Sequence, residues 1–577
     1  MPEPDKVSSP ASRFARSLLT GLVADGVESI VLSPGSRSQA LALVAAELER
    51  IGAIRLYVRI DERVAGFLAI GLAREARAPV VVITTSGTAV ANLHPAVLEA
   101  HHSGLPLILL TADRPVEMRG IRSNQTTQQP GIYGPSTRMC DDVPAPEGAD
   151  GEDAVAMQLA QRAVAAATGM QTGNPGPVQL NLAFREPLSS TVDDLEMWWQ
   201  AVSLRRPQSQ PQVAASAPAV IGRAPGTIVV AGADAGPAAE EFARAGGWPL
   251  IAEVSSRARF GPNLVLAYRT LLADETLAGQ VQRVIVFGHP TLSREVPQLI
   301  GRDGVETIVV AAPGTEKYNP GHRVSRFEEH VVAEDPIADD DARRWLGQWV
   351  AAGRSALAAE EQRNGDQAAS TMESARAPSL AARAEFAQQE LAIMREPVTR
   401  RMLADALWRV TWPHDRLLLG ASRLIRELDS WVTGKRITVH SNRGLAGIDG
   451  TIATGIGIAL ATEASAGGGT TRVLLGDLAA LHDAGALLFG TQERRPAIQV
   501  IVGNDNGGTI FDRLEVAGTA TPEAMDRVLT TPQHVDLSAL AAAYGWGYTR
   551  ADNRNDLERA LTAPITGPNL LEVPLAR

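Results

Sequence analysis

Two apolar runs in the last third of the chain, TRVLLGD and AIQVIVGNDNGG, each run into an acidic side chain, and they constrain the fold more than any other feature. Asp477 and Asp505 mark these strand ends and lie 28 residues apart, a spacing that suits one strand-helix-strand unit. The two strands of such a unit are parallel. Both carboxylates are therefore expected at carboxyl strand ends, where open α/β sheets bind ligands. Gly476 and Leu478 flank the first acid, and Gly507 and Gly508 follow the second. Glycines at such positions let backbone approach a bound anion. Hard oxygen donors beside them describe a Mg²⁺-diphosphate site, with Asp477, Asp505 and the Gly507 carbonyl as metal ligands. Taken singly, Asp477 reads as a helix cap and NDNGG as a loop. Their pairing in one unit favours the ligand site.

The same alternation runs through most of the 577 residues, which exceed any single core. The pattern predicts an α/β protein of three doubly wound parallel-sheet domains. Their predicted bounds are 1–190, 227–350 and 390–577. A Pro-rich linker is expected at 191–226 and an Ala/Glu/Arg-rich connector at 351–389. Similar unit sizes suggest large-scale repetition. A net charge of −11 argues against bulk nucleic-acid binding. The lone cysteine, Cys140, excludes an intramolecular disulfide and a cysteine-based zinc site. No apolar run reaches the length of a membrane span, and MPEPDKVSSP carries no targeting pattern. A cytoplasmic enzyme without membrane insertion is the expectation.

Three further features carry chemistry. Glu62 follows the strand pattern IRLYVRI and opens an apolar helix, where partial desolvation would favour its protonated form. Arg37, Arg114, Arg294, Arg426 and Arg443 all stand in loops after apolar runs, positions suited to paired hydrogen bonds with carboxylates. The Gly-rich helix start IDGTIATGIGIAL, with Ile448, Asp449 and Gly450, offers free N–H groups to a second phosphate contact. His101, His102 and His482 read better as packing or capping residues than as acid-base groups.

Several strings then agree in order with one family. SPGSRS, IDERVAGFLAIGLA, TTSGTAVANLHPAV, TADRP, SNQTTQQ, SNRGLAGIDGT and NDNGGTIF resemble the 2-succinyl-5-enolpyruvyl-6-hydroxy-3-cyclohexene-1-carboxylate synthase family. These are thiamine-diphosphate enzymes of menaquinone biosynthesis. The resemblance is dense in the first and last thirds and thin between them. It implies pyrimidine-binding, central and diphosphate-binding domains, and a homodimer or homotetramer with sites between subunits. The implied reaction decarboxylates 2-oxoglutarate and adds the succinyl unit to isochorismate. Carried over by position, Glu62 matches the cofactor-activating glutamate, and Asp477, Asp505 and Gly507 match ligands of Mg²⁺ (or Mn²⁺). Ile448 matches the support under the cofactor's bend. Ile510, Phe511 and Leu514 match the apolar wall near the reacting carbons. Ser36, Arg37, Arg114, Asn124, Gln125, Ser422, Arg426 and Arg443 match substrate contacts. Arg294 falls where some members carry a basic pair, but Ser293 precedes it here. Asp505 stands where many thiamine enzymes carry asparagine, and the extra carboxylate is expected to tighten Mg²⁺ binding. An acetolactate synthase-like carboligase acting on pyruvate and a non-catalytic binding module are the competing readings.

Overall fold

The computed structural model describes residues 8–192, 195–203, 217–311, 316–334, 340–363, 388, 391–465 and 468–577. Its strands form three main sheets, and every strand pair in them is parallel. The first sheet contains β1 (Ser29–Leu32), β2 (Arg55–Val58), β3 (Val80–Thr84), β4 (Leu107–Asp113), β5 (Met139–Val143) and β6 (Val178–Ala183). Its order is β2-β1-β3-β4-β6-β5. The central region contains β7 (Ala219–Ile221), β8 (Thr227–Ala231), β9 (Leu250–Ala252), β10 (Arg283–Phe287), β11 (Glu306–Val310), β12 (Arg326–Glu328) and β13 (Val331–Ala333). Five of these run in the order β12-β11-β10-β8-β9, while β7 pairs with β13. The last sheet contains β14 (Arg416–Leu419), β15 (Thr438–His440), β16 (Thr471–Gly476), β17 (Ile498–Asn504), β18 (Gly547–Arg550) and β19 (Asn569–Pro574). Its order is β15-β14-β16-β17-β19-β18, the same topology as the first sheet. Repetition thus holds for the outer two units, and the central sheet departs from it.

The expected linker is more structured than its prolines suggest. Within 191–226, residues Leu195–Ser203 form a helix and β7 pairs with β13. Pro218 and Pro225 flank that short strand without entering its ladder, which prolines tolerate. Pro207 and Pro211 lie outside the described residues, as do residues 364–387 and 389 of the expected connector. Residues 351–363 complete the helix Asp340–Arg363.

One helix crossing joins the outer units. The Glu62–Ala76 helix, buried along residues 64–74, packs on the Thr451–Ala464 helix within one apolar core. The second of these is apolar on every side, as suits a helix enclosed by protein. A methyl on Gly71 would sit 2.1 Å from the Thr454 carbonyl oxygen, and one on Gly457 would sit 2.2 Å from that of Leu68. Glycine at both positions lets the backbones touch. Each end of the Glu62 helix is also tied down. Glu75 accepts from Arg416 at 2.7 Å and faces His440 at 3.0 Å, while Arg63 donates to the His482 carbonyl at 2.8 Å.

Candidate active site

The carboxyl ends of β16 and β17 bring the expected metal ligands together. Asp477 follows Gly476 directly, opens a six-residue helix and is buried, with Leu478 half-buried behind it. Across the strand boundary, the Gly507 N–H donates to Asp477 Oδ2 at 2.7 Å. Gly507 has φ 130°, and a methyl there would lie 2.4 Å from the Thr530 carbonyl oxygen. Only glycine fits this turn. Burial, then the charge of Asp505, pushes the Asp477 carboxyl up to about 6, partly offset by backbone N–H groups of Leu478 and Gly507. Two buried carboxylates that repel one another fit a divalent cation between them. Among the described residues no three His, Cys, Asp or Glu side chains cluster for a metal. Two carboxylates alone do not fill a divalent ion's shell, so an ion here would need further oxygens from backbone or from its own ligand.

Asp505 has a partner that the sequence did not announce. Its Oδ2 accepts from Arg400 at 2.5 Å and from the Thr509 hydroxyl. The expectation that the added carboxylate tightens the metal did not include this guanidinium, which meets part of the Asp505 charge.

The Gly-rich helix start is also used differently from expectation. Asp483 Oδ2 accepts from the Ala453 N–H at 2.9 Å, so part of the helix N-terminus is capped from within rather than left for phosphate. Gly450 has φ 56°, and a methyl there would lie 1.9 Å from Phe67. Close packing accounts for that glycine. Ile448 remains exposed on the loop before it, and the half-buried Asp449 lies 4.0 Å from His482 Nε2. His482 Nδ1 faces Arg63 at 3.2 Å, in keeping with a packing role.

The internal cap has a pH signature. Burial pushes the Asp483 carboxyl up to about 7 from its ordinary 3.8, against the pull of the Ala453 N–H and Arg63. The folded protein therefore holds a proton that the unfolded chain releases between about pH 4 and pH 7, so stability falls as pH rises through that window. Asp483→Asn keeps an acceptor for Ala453 without the ionisation. Its melting temperature, followed from about pH 5 to 8, should vary less with pH than that of the wild type. Equal slopes would contradict this role.

The five arginines fall into two groups. In the first unit, Arg114 is buried and donates to Ser86 Oγ at 2.7 Å and to the Gln125 carbonyl at 2.6 Å. Gln125 Nε2 returns a bond to the Ser86 carbonyl, and Asn124 is exposed beside it. Arg37 donates to the Phe184 carbonyl, and its pKa is lowered by burial and by the charge of Arg114. Ser36 is exposed in the loop after β1. Glu62, half-buried after β2, accepts from Asn92 at 3.2 Å.

The second group lies where the central unit meets the last one. Ser422 caps the Arg423–Trp431 helix through its side chain, and its carbonyl accepts from Arg426 at 3.0 Å. Arg443 is buried and donates to Thr291 Oγ1 at 2.9 and 2.7 Å from Nε and NH2. Glu253, raised in pKa by burial and by Asp429, accepts from the Thr291 and Leu292 N–H groups. Asp429 accepts from the Val254 N–H and from the Tyr268 hydroxyl, fixing the Arg426 helix to the central unit. Arg294 is exposed and pairs with Glu515 at 2.7 Å, next to the half-buried Ile510, Phe511 and Leu514. Among the described residues no hydrogen bond or ion pair links the Arg37–Arg114 group to the Arg426–Arg443 group.

Paired parallel sheets of one topology, with a glutamate at a strand end of the first and two aspartates at neighbouring strand ends of the last, are the arrangement expected of a thiamine-diphosphate enzyme. The family described as thiamine pyrophosphate enzyme, N-terminal TPP binding domain, matches residues 12–133, and its C-terminal counterpart matches residues 430–573. Benzoylformate decarboxylase from Polynucleobacter necessarius superposes with a TM-score of 0.63 over 98% of each chain at 15% identity, a likeness of fold. Within that class, the chain is 57% identical to a Leifsonia xyli protein named 2-succinyl-5-enolpyruvyl-6-hydroxy-3-cyclohexene-1-carboxylate synthase, over 99% of this chain and 98% of that one. Proteins of the same name from Clavibacter michiganensis and Mycobacterium avium are 56% and 37% identical, each over 99% of this chain and 97% of its relative. The chain belongs to the 2-succinyl-5-enolpyruvyl-6-hydroxy-3-cyclohexene-1-carboxylate synthase family.

Proposed function

We propose that this enzyme decarboxylates 2-oxoglutarate and adds the resulting succinyl unit 1,4 to isochorismate, releasing CO₂, as a step of menaquinone biosynthesis. The observation that carries the reading is the convergence of Asp477, Asp505 and Gly507 at neighbouring strand ends. Thiamine diphosphate, when bound, supplies the nucleophilic carbon that takes up a 2-oxo acid and lets CO₂ leave.

The chain's own residues do the rest. Asp477, Asp505 and the Gly507 carbonyl would hold Mg²⁺ (or Mn²⁺) with the cofactor's diphosphate. Ile448 supports the cofactor's bend beside Asp449 and Gly450. Glu62 holds a proton at the ring nitrogen of the aminopyrimidine, the exchange that readies the cofactor. Both substrates are dicarboxylates, and the two arginine groups suit them: Arg37 and Arg114 with Ser36, Asn124 and Gln125 on one side, Arg426 and Arg443 with Ser422 and Arg294 on the other. Guanidinium groups bind carboxylates by paired bonds, and burial strengthens those bonds. Ile510, Phe511 and Leu514 keep water from the reacting carbons.

This reading assigns the pyrimidine site to the 1–190 unit and the diphosphate site to the 390–577 unit, contributed by two copies of the chain. The family resemblance supports a homodimer, or a tetramer built from it. So does apolar surface near both halves: Ile60 is 72% exposed and Leu445 52%. No helix of the described residues is long and apolar enough to cross a membrane. A cytoplasmic location belongs to the same reading, and the lone cysteine suits a reducing compartment.

Purified enzyme given thiamine diphosphate, Mg²⁺ and isochorismate should release CO₂ from 2-oxoglutarate and consume isochorismate in step with it. Faster release from pyruvate would point to an acetolactate synthase-like carboligase and overturn the substrate assignment.

A further inference from the structure

Arg400 sits one residue after Thr399, which caps the Arg400–Val410 helix by accepting from the Met402 N–H. From there its side chain reaches the end of β17. Its NH2 lies 2.5 Å from Asp505 Oδ2, and the two side chains are only 12% and 10% exposed. The Thr509 hydroxyl donates to the same oxygen. Neither bond uses Oδ1, so Asp505 has one oxygen held by protein and one left for an ion. The other basic groups nearby are otherwise engaged. Arg423 and Arg513 both turn to Glu427, at 3.5 and 3.0 Å. Arg400 is the guanidinium committed to Asp505.

The charge arithmetic gives this pair a purpose. An asparagine at 505 would offer the same carbonyl-type oxygen without a charge. An aspartate adds a second negative charge beside Asp477, at the end of the neighbouring strand. A diphosphate arriving with several negative charges meets that excess as well. An arginine on the far oxygen offsets it and turns Oδ1 in one direction, since Oδ2 is held by two donors.

We propose that Arg400 is a positioning residue of the metal site: it neutralises Asp505 and orients it, so that the pair acts as one amide-like ligand and sets the affinity for the divalent ion. The proposal rests on the reading that Asp477, Asp505 and Gly507 hold that ion. It separates the two halves of the pair in a way that a purely structural salt bridge does not. Removing the carboxylate alone leaves Arg400 buried and positive next to a cation. Removing both members leaves a neutral site of similar shape, the change that buried pairs tolerate best.

The test is Mn²⁺ affinity measured by titration calorimetry or electron paramagnetic resonance in the presence of thiamine diphosphate, on the full-length protein. Asp505→Asn alone should weaken Mn²⁺ binding on the order of 10- to 100-fold, as loss of a supporting charge commonly does. Arg400→Met combined with Asp505→Asn should return the affinity to within about threefold of the wild type. Equal weakening in the single and double variants would overturn the role of Arg400. Wild-type protein that binds no Mn²⁺ with the cofactor present would overturn the site reading itself, and this inference with it.

Discussion

Glu62→Gln should lower turnover by a factor on the order of 10³, while thiamine diphosphate should still bind within a few-fold of its wild-type affinity. The amide keeps the size and the hydrogen bond from Asn92, which reaches Glu62 Oε2 at 3.2 Å. It cannot hold an exchangeable carboxyl proton, so only the step that needs that proton suffers. In the proposed site the diphosphate and metal end falls to another unit of the fold, so affinity should survive. Steady-state turnover together with cofactor binding by calorimetry checks both halves. A Glu62→Gln enzyme with unimpaired turnover would remove Glu62 from the chemistry.

Asp477→Ala should have a different signature: cofactor and metal binding are expected to fail together. Loss of a supporting residue around a metal ligand commonly costs 10- to 100-fold in affinity, and Asp477 is proposed as a direct ligand, so a loss of at least about 100-fold is expected. The loss also removes the acceptor for the Gly507 N–H, which Asp477 holds at 2.7 Å. Co-expression of this variant with Glu62→Gln then tests the assembly. If each site takes Glu62 from one chain and Asp477 from its partner, half the dimers pair unlike chains and each of these has one intact site. Activity should recover to roughly a quarter of the wild type. If both residues served the same chain's site, no pairing would restore activity.

The parts of this fold that were legible in sequence are those in which local pattern and chemistry coincide. An apolar run ending in Asp477 or Asp505 reads as a parallel strand with a ligand at its end, because burial on both faces demands the run and a carboxylate beyond it needs a partner. The same logic picks out Glu62 after β2 and Arg114 after β4. What stayed hidden depends on residues distant in the chain. Arg400 lies 105 residues before Asp505 and reads locally as a basic residue at a helix start. Asp483 looks like a neighbour of His482, yet it accepts from Ala453, 30 residues earlier, in the first turn of another helix. The bridge from Arg443 to Thr291 and Glu253 spans two units, and no period or motif marks it. A paired carboxylate and acceptor of this kind could be sought as a charged residue at an apolar strand end, such as Glu253 after β9. The strand β7 was masked by its flanking prolines, whose turn-forming character outweighs three residues of apolar pattern.

The account stands or falls on the ion held between β16 and β17. A crystal grown with thiamine diphosphate and Mn²⁺, measured for anomalous scattering at the manganese edge, locates that ion directly. One peak is predicted at roughly 2.1 Å from a carboxylate oxygen of Asp477, one of Asp505 and the Gly507 carbonyl, with diphosphate oxygens completing the shell. A bound cofactor whose metal lies elsewhere, with both carboxylates turned from it, would contradict the account.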